Sequence, residues 1–231
     1  MNAQISDDRD LVMHRIREAL QIRRQGLPAH GDAERYRELL PLVGDDLDAR
    51  IERFREWSER LQTEFIVCSR DELDAKLAAL RETHGWQRGA CHLAELPRQA
   101  LAATGLENEK ALIIDDSAGA DYDKATLEAS EVSFSNCDAL VAQTGSVLLT
   151  SRSAGGRALS VLPPHHVVLA TTDQMVPDLP AAMALVRERY GDDLPSLITL
   201  HTGPSRTGDI ERTIVLGAHG PKKLTVILIR G

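Results

Sequence analysis

Residues 64–85, EFIVCSRDELDAKLAALRETHG, change their apolar period part-way along. Phe65 to Cys68 form a continuous apolar run too short for a helix and rich in strand-forming side chains, which predicts a buried strand. Leu73, Leu77 and Leu80 then recur at helical spacing, and Gly85 offers a stop. A buried strand followed at once by a one-faced helix is the unit from which parallel sheets are built. The same alternation continues toward the C-terminus. GACHLA reads as a short strand, LPRQALAATG as a short helix, and KALIID (110–115) as a strand. VSFSNCDALVAQTGSVLLTS holds one or two strands punctuated at Thr144-Gly145, and HHVVLATT (165–172) is another strand. LPAAMALVRERYG (179–191) is a helix, SLITLHTG a strand, TIVLGAHG an apolar run closed by glycines, and LTVILI (224–229) a last buried strand. The expectation is an α/β domain whose largely parallel sheet is covered on both faces.

N-terminal to this region the pattern is purely helical. Leu11, Val12, Ile16, Ala19 and Leu20 mark one amphipathic helix between Asp8 and Arg24, and QGLPAHG breaks it. Leu47, Ile51, Phe54, Trp57 and Leu61 mark a second between Asp45 and Leu61. These charged helices predict an N-terminal helical segment over residues 1–62, docked on the core or on a partner, ahead of one α/β domain over 63–231.

The 231 residues are 42% hydrophobic and 27% charged, enough apolar side chain for one sizeable core and against disorder. A net charge of −8 disfavours a broad nucleic-acid footprint, which needs a basic face. No apolar run is long enough to span a bilayer, and the N-terminus lacks a signal pattern, so a cytoplasmic protein is expected. Cys68, Cys91 and Cys137 lie far apart with no Cys-x-x-Cys, so spacing encodes neither an iron–sulfur cluster nor structural zinc. Neither His165-His166 nor any other pair shows metal-ligand spacing, so no metal and no cofactor are expected.

Three glycine-bearing segments fall at predicted strand ends, and in open α/β sheets ligands collect beyond the carboxyl ends of strands. QTGSVLLTSRSAGGR (143–157) offers the hydroxyls of Thr144 and Ser146, close approach at Gly145, and the guanidiniums of Arg152 and Arg157, a composition for a phosphate or carboxylate cradle or for a hairpin and polar loop. HTGPSRTGDIE (201–211) spaces Gly203 and Gly208 like the glycines of a phosphate-binding loop, but Asp209 stands where such a loop has lysine. At ~4 Å the carboxylate would repel phosphate by several kcal/mol, which removes that reading. What remains is a Gly-Pro turn with Ser205, Thr207 and Asp209 as caps of a following short helix, Arg206 as a cation for a smaller anion, and Asp209 or Glu211 as general acid or base. GAHGP (217–221) places His219 at the apex of a turn, where it could move protons or simply be solvated.

AQTGSVLLTS, LPPHHVVLA, TGPSRTGDIE and VLGAHGPKKLTVILI, in this order and spacing, resemble the lactate-utilization protein C family, built on the LUD domain, over about residues 64–231. The resemblance implies a three-layer α/β fold similar to the sugar-phosphate isomerase and coenzyme A transferase superfamily. It also implies a part in oxidation of L-lactate to pyruvate beside partner proteins that carry the iron–sulfur clusters. On this basis the chain is a non-cluster component that binds a small anionic ligand or a partner. The other reading is a stand-alone enzyme acting on a phosphorylated sugar or a coenzyme A thioester. Whether the role is catalytic, regulatory or one of assembly stays open. The family motifs fall on Thr144, Gly145, Thr202, Gly203, Pro204, Ser205, Arg206, Thr207, Asp209, Glu211, His219 and Gly220. Gln143 stands where the resemblance implies an acidic residue, and Gly208 where it implies alanine.

Overall fold

The computed structural model describes residues 2–21, 43–44, 46–108, 111–114, 123–208, 214–217 and 219–231. It separates into a short unit, residues 1–41, and a compact unit, residues 42–231. The short unit contains helix α1 (Asn2–Gln21). Among the described residues no helix is long and apolar enough to cross a membrane.

In the compact unit six strands form one sheet in the order β1 (Glu64–Ser69), β12 (Lys223–Arg230), β7 (His165–Thr171), β4 (Val132–Ser135), β2 (Gly89–His92), β3 (Leu112–Ile114), and every neighbouring pair is parallel. The central strands are apolar on both faces because both faces are covered, as the run-like rather than alternating sequences require. In β12, Ile227 and Ile229 point one way and Val226 and Leu228 the other. On the first face helices α3 (Leu73–His84) and α4 (Glu95–Ala103) bring Leu73, Leu77, Leu80, Ala100 and Leu101 against Cys91, Phe134, Val167 and Leu169.

The opposite face is covered by one helix and a second sheet. Helix α2 (Leu47–Leu61) buries Ile51 and Phe54 there, beside a second sheet of four strands. That sheet runs β8 (Met175–Val176), β5 (Ala139–Val141), β6 (Ser146–Thr150), β9 (Ile198–His201), with β5–β6 and β6–β9 antiparallel. Its inner side meets the large sheet through Leu140, Val147 and Leu149. Its outer side, Ala139, Val141 and Leu148, is closed by helix α6 (Leu179–Tyr190). The short helix α5 (Lys124–Glu128) buries Leu127 against Ala90 and Ile114 of the outer strands. Helix α2 therefore packs into the core as part of the compact unit.

The segment after Pro204 is extended rather than helical. It forms no helix start among the described residues. Arg206–Gly208 is strand β10, paired antiparallel with β11 (Ile214–Leu216). The extended backbone finds its hydrogen-bond partners in β11, so Ser205 and Thr207 cap nothing.

Candidate functional site

Helix α2 ends at Gln62, whose left-handed φ of 62° turns the chain directly into β1. Thr63 N–H donates to Ser58 C=O (2.8 Å) and Gln62 N–H to Glu59 C=O (3.2 Å), so the helix stops on its own backbone. This corner is the amino end of the large sheet, and the glycine loops gather around it. Gly145, in the β5–β6 turn at φ 65°, lies against Trp57 and Leu61 so closely that a Cβ would be 2.5 Å from the Trp57 Cβ. Gly203, at φ 86°, lies against the Leu61 carbonyl. Arg206 donates from Nη2 to the Leu61 carbonyl (2.5 Å) and the Gln62 amide oxygen (3.1 Å).

Hydroxyls tie the loops together. Thr144 Oγ1 and Ser146 Oγ are 2.7 Å apart, and Ser146 Oγ and Thr202 Oγ1 are also 2.7 Å apart. Ser205 N–H donates to the Pro221 carbonyl and Gly217 N–H to the Ser205 carbonyl, each at 2.9 Å. The three family segments thus meet at one end of the molecule. It is the amino end of the parallel strands, not the carboxyl end where the general rule for open sheets would put them. Thr207 is half-buried within β10. His219 is exposed and borders a cavity of about 420 Å³ with Leu162, Pro164 and Lys222. Asp209 and Glu211 lie outside the described residues.

Strand β6 divides the stretch read as one cradle. Thr144, Gly145 and Ser146 precede the strand, while Arg152 and Arg157 follow it. Arg152 pairs with Asp193 at 2.7 Å, and Arg157 donates to the Ser196 carbonyl at 3.1 Å. At this second end, His92 closes β2 and accepts from Asn136 N–H at 3.4 Å, with Gly155 pressed against its ring. Burial pushes the His92 pKa down to about 4.

Between the loops and the strand starts lies a cleft of about 260 Å³, lined by Gln62, Glu64, His84, His165, Pro204 and residues 222–225. A neighbouring cavity shares His84, His165, Lys222 and Lys223 and adds Trp86, Glu131 and Pro164. Glu64, His165 and Lys223 are the first residues of three adjacent parallel strands, and His84 ends α3. Register therefore brings them together.

Their hydrogen bonds form one chain. Thr225 Oγ1 donates to Glu64 Oε2 at 2.8 Å, so its lone pair must accept from His165 Nε2–H, also at 2.8 Å. His165 is then neutral, with Nδ1 a buried lone pair that has no partner. Burial, with His84 and Lys223 adding to it, holds the His165 pKa at about 3. Lys223 Nζ donates to His84 Nδ1 at 3.2 Å, which puts the His84 proton on Nε2, 3.7 Å from Glu64 Oε2. Trp86 stacks on His84 and stands edge-on to His165, ring centroids 5.2 and 5.0 Å away. His166, on the opposite face of β7, bonds Ser135 Oγ at 2.8 Å instead. The arrangement supplies fixed proton positions and unprotonated imidazole nitrogens beside two exposed lysines.

Sequence reading missed Glu64, His84, His165, Thr225, Lys222 and Lys223. The available signal was positional: His165 opens HHVVLA and Lys223 follows GAHGP, so both had to stand at strand starts beside the motif loops.

The family model for the LUD domain matches residues 51–229, from within α2 to the end of β12. The chain belongs to the LUD domain family. Among curated proteins it is similar to a lactate utilization protein C of Anoxybacillus flavithermus, 31% identical over 74% of this chain and 76% of that one. A lactate utilization protein C of a Geobacillus species is 30% identical over 80% of each chain. Among solved structures, a DUF162 family protein from Deinococcus radiodurans aligns with a TM-score of 0.56 at 19% identity, covering 80% of this chain and 99% of that one. That likeness establishes the α/β fold with its parallel sheet. Within this LUD domain, Pro204 of TGPSR and Lys222 and Lys223, just after GAHGP, line the cleft, and the β5–β6 turn bonds Thr202 through Ser146.

Proposed function

We propose that this chain is the non-cluster component of an L-lactate utilization system, in which lactate is oxidised to pyruvate. Its cleft receives a small anionic ligand or a partner protein. Family membership and relatives named for lactate utilization supply the system. The observation that carries the role is the meeting of the TGPSR and GAHGP loops, with Ser205 N–H donating to the Pro221 carbonyl, beside a cleft lined by Pro204, Lys222 and Lys223. Two cations on flexible stems beside neutral imidazoles suit a carboxylate or an acidic side chain. The cysteines support a division of labour with iron–sulfur partners. All three are free and buried, and they lie far apart in sequence with no Cys-x-x-Cys spacing of the kind that holds a cluster.

Deleting the gene is expected to abolish growth on L-lactate while growth on glucose continues. Wild-type chain should restore it, and a Lys222→Glu, Lys223→Glu chain should not. Tagged chain from lactate-grown cells should co-purify with iron–sulfur proteins. Undiminished growth of the deletion strain on L-lactate would refute the role.

A further inference from the structure

We propose that Glu64, His84 and His165 form a binding site for a divalent transition metal of the zinc type, open to the cleft. One ligand atom from each residue lies within 4.8 Å of those of the other two. Two imidazoles and one carboxylate are the donor set of open zinc sites and of facial-triad metal sites, which leave positions free for water or substrate. The ligands come from three elements, the starts of β1 and β7 and the end of α3, so no local sequence motif announces them.

Three observations point to a ligand rather than to a closed hydrogen-bond network. His165 is 3% exposed and keeps one ring nitrogen with no partner, which a buried polar atom does not do without cost. His84 Nε2 is likewise buried and lacks a hydrogen bond, its nearest acceptor being Glu64 Oε2 at 3.7 Å. Donor atoms about 2.1 Å from a tetrahedral ion stand roughly 3.4 Å apart, so from the 4.8 Å limit a contraction of about 1.4 Å at most closes the site. Third, the support around it is already built. Thr225 Oγ1 holds Glu64 and His165 on one atom, the kind of outer contact that orients metal ligands. Trp86 fixes both ring planes.

Lys223 is the element that must move. Its bond to Nδ1 keeps the His84 proton on Nε2, the nitrogen that faces Glu64. A metal there requires the proton on Nδ1, which cannot face an ammonium donor. The exposed Lys223 side chain then swings into the cleft, and its charge becomes available to an anion bound at the metal's open position. The site is independent of the lactate role, because it rests on local geometry alone.

The test is metal binding to the purified full chain, stripped with chelator and dialysed against zinc or cobalt(II). Expected are one equivalent bound and a cobalt absorption spectrum with nitrogen ligation. His84→Gln and Glu64→Gln should each lower affinity by roughly 100-fold or more, since loss of an outer contact alone costs 10–100-fold. His84 and Glu64 are not in the deep core, so both variants should fold, and circular dichroism checks this. Lys223→Met should tighten binding, because the competing donor and its charge are gone. Absence of saturable binding by the wild-type chain overturns the proposal, as does equal affinity in folded His84→Gln and Glu64→Gln.

Discussion

Gly145 shows how a residue that looks made for a ligand can be made for a helix. Its φ of 65° is a region that side chains with a Cβ enter at a cost of ~1–2 kcal/mol. The space where that Cβ would go is filled by Trp57. Gly145→Ala is therefore expected to destabilise the fold by about 2 kcal/mol or more, from strain plus overpacking. A urea midpoint that stays at the wild-type value would contradict this. The cleft residues follow the complementary logic. Glu64, His165 and Lys223 are ordinary in isolation, and only their shared position at strand starts makes them a site.

At the scale of elements, α2 is the informative case. Its charged surface reads as an appendage, yet Phe54 is fully buried, its ring 4.8 Å from that of Phe65, within the cluster shared by both sheets. A chain starting at Leu42 retains the whole compact unit and is expected to unfold cooperatively. One starting at Thr63 would expose the face covered by Ile51 and Phe54. Losing Phe54 alone should cost about 3–5 kcal/mol. Equal melting temperatures for the two truncated chains would show that α2 is dispensable. The β10–β11 hairpin teaches the reverse lesson. Ser205 and Thr207 have the chemistry of helix caps, but cap chemistry is a weak preference and a pairing strand overrides it.

The whole molecule couples its buried imidazoles to stability. His92 is 6% exposed and titrates near 4, below the ordinary value of 6.5, because burial disfavours its charged form. Between those values the unfolded chain binds the proton and the fold does not. Stability is therefore full above about pH 6.5 and falls as the pH drops toward 4, by up to ~3 kcal/mol from this group. Melting temperature measured from pH 7 to 4.5 should decline, and His92→Gln should flatten that decline even if it lowers every point. Parallel curves for the two proteins would mean that His92 is not the linked group.

Much of this architecture is written locally. HHVVLATT and LTVILI are interior strands because their apolar runs can be buried only between two covered faces, EFIVCS pairs beside them at the sheet edge, and the helices at 73–84 and 179–190 follow from their apolar period and terminal glycines. The motif loops were legible too, since glycine and proline impose turns wherever they occur. Which strand pairs with which was not. Leu140 and Leu148 alternate as any strand does, and nothing local assigns them to a second, antiparallel sheet rather than to the first. The cleft was invisible for the same reason. Glu64 and Thr225 stand 161 positions apart and become neighbours only through parallel register, so their hydrogen bond, and the imidazoles it organises, exist only once the sheet has formed. Burial of each residue type is a local preference of the chain, whereas juxtaposition is decided by long-range pairing, and it is juxtaposition that makes the site.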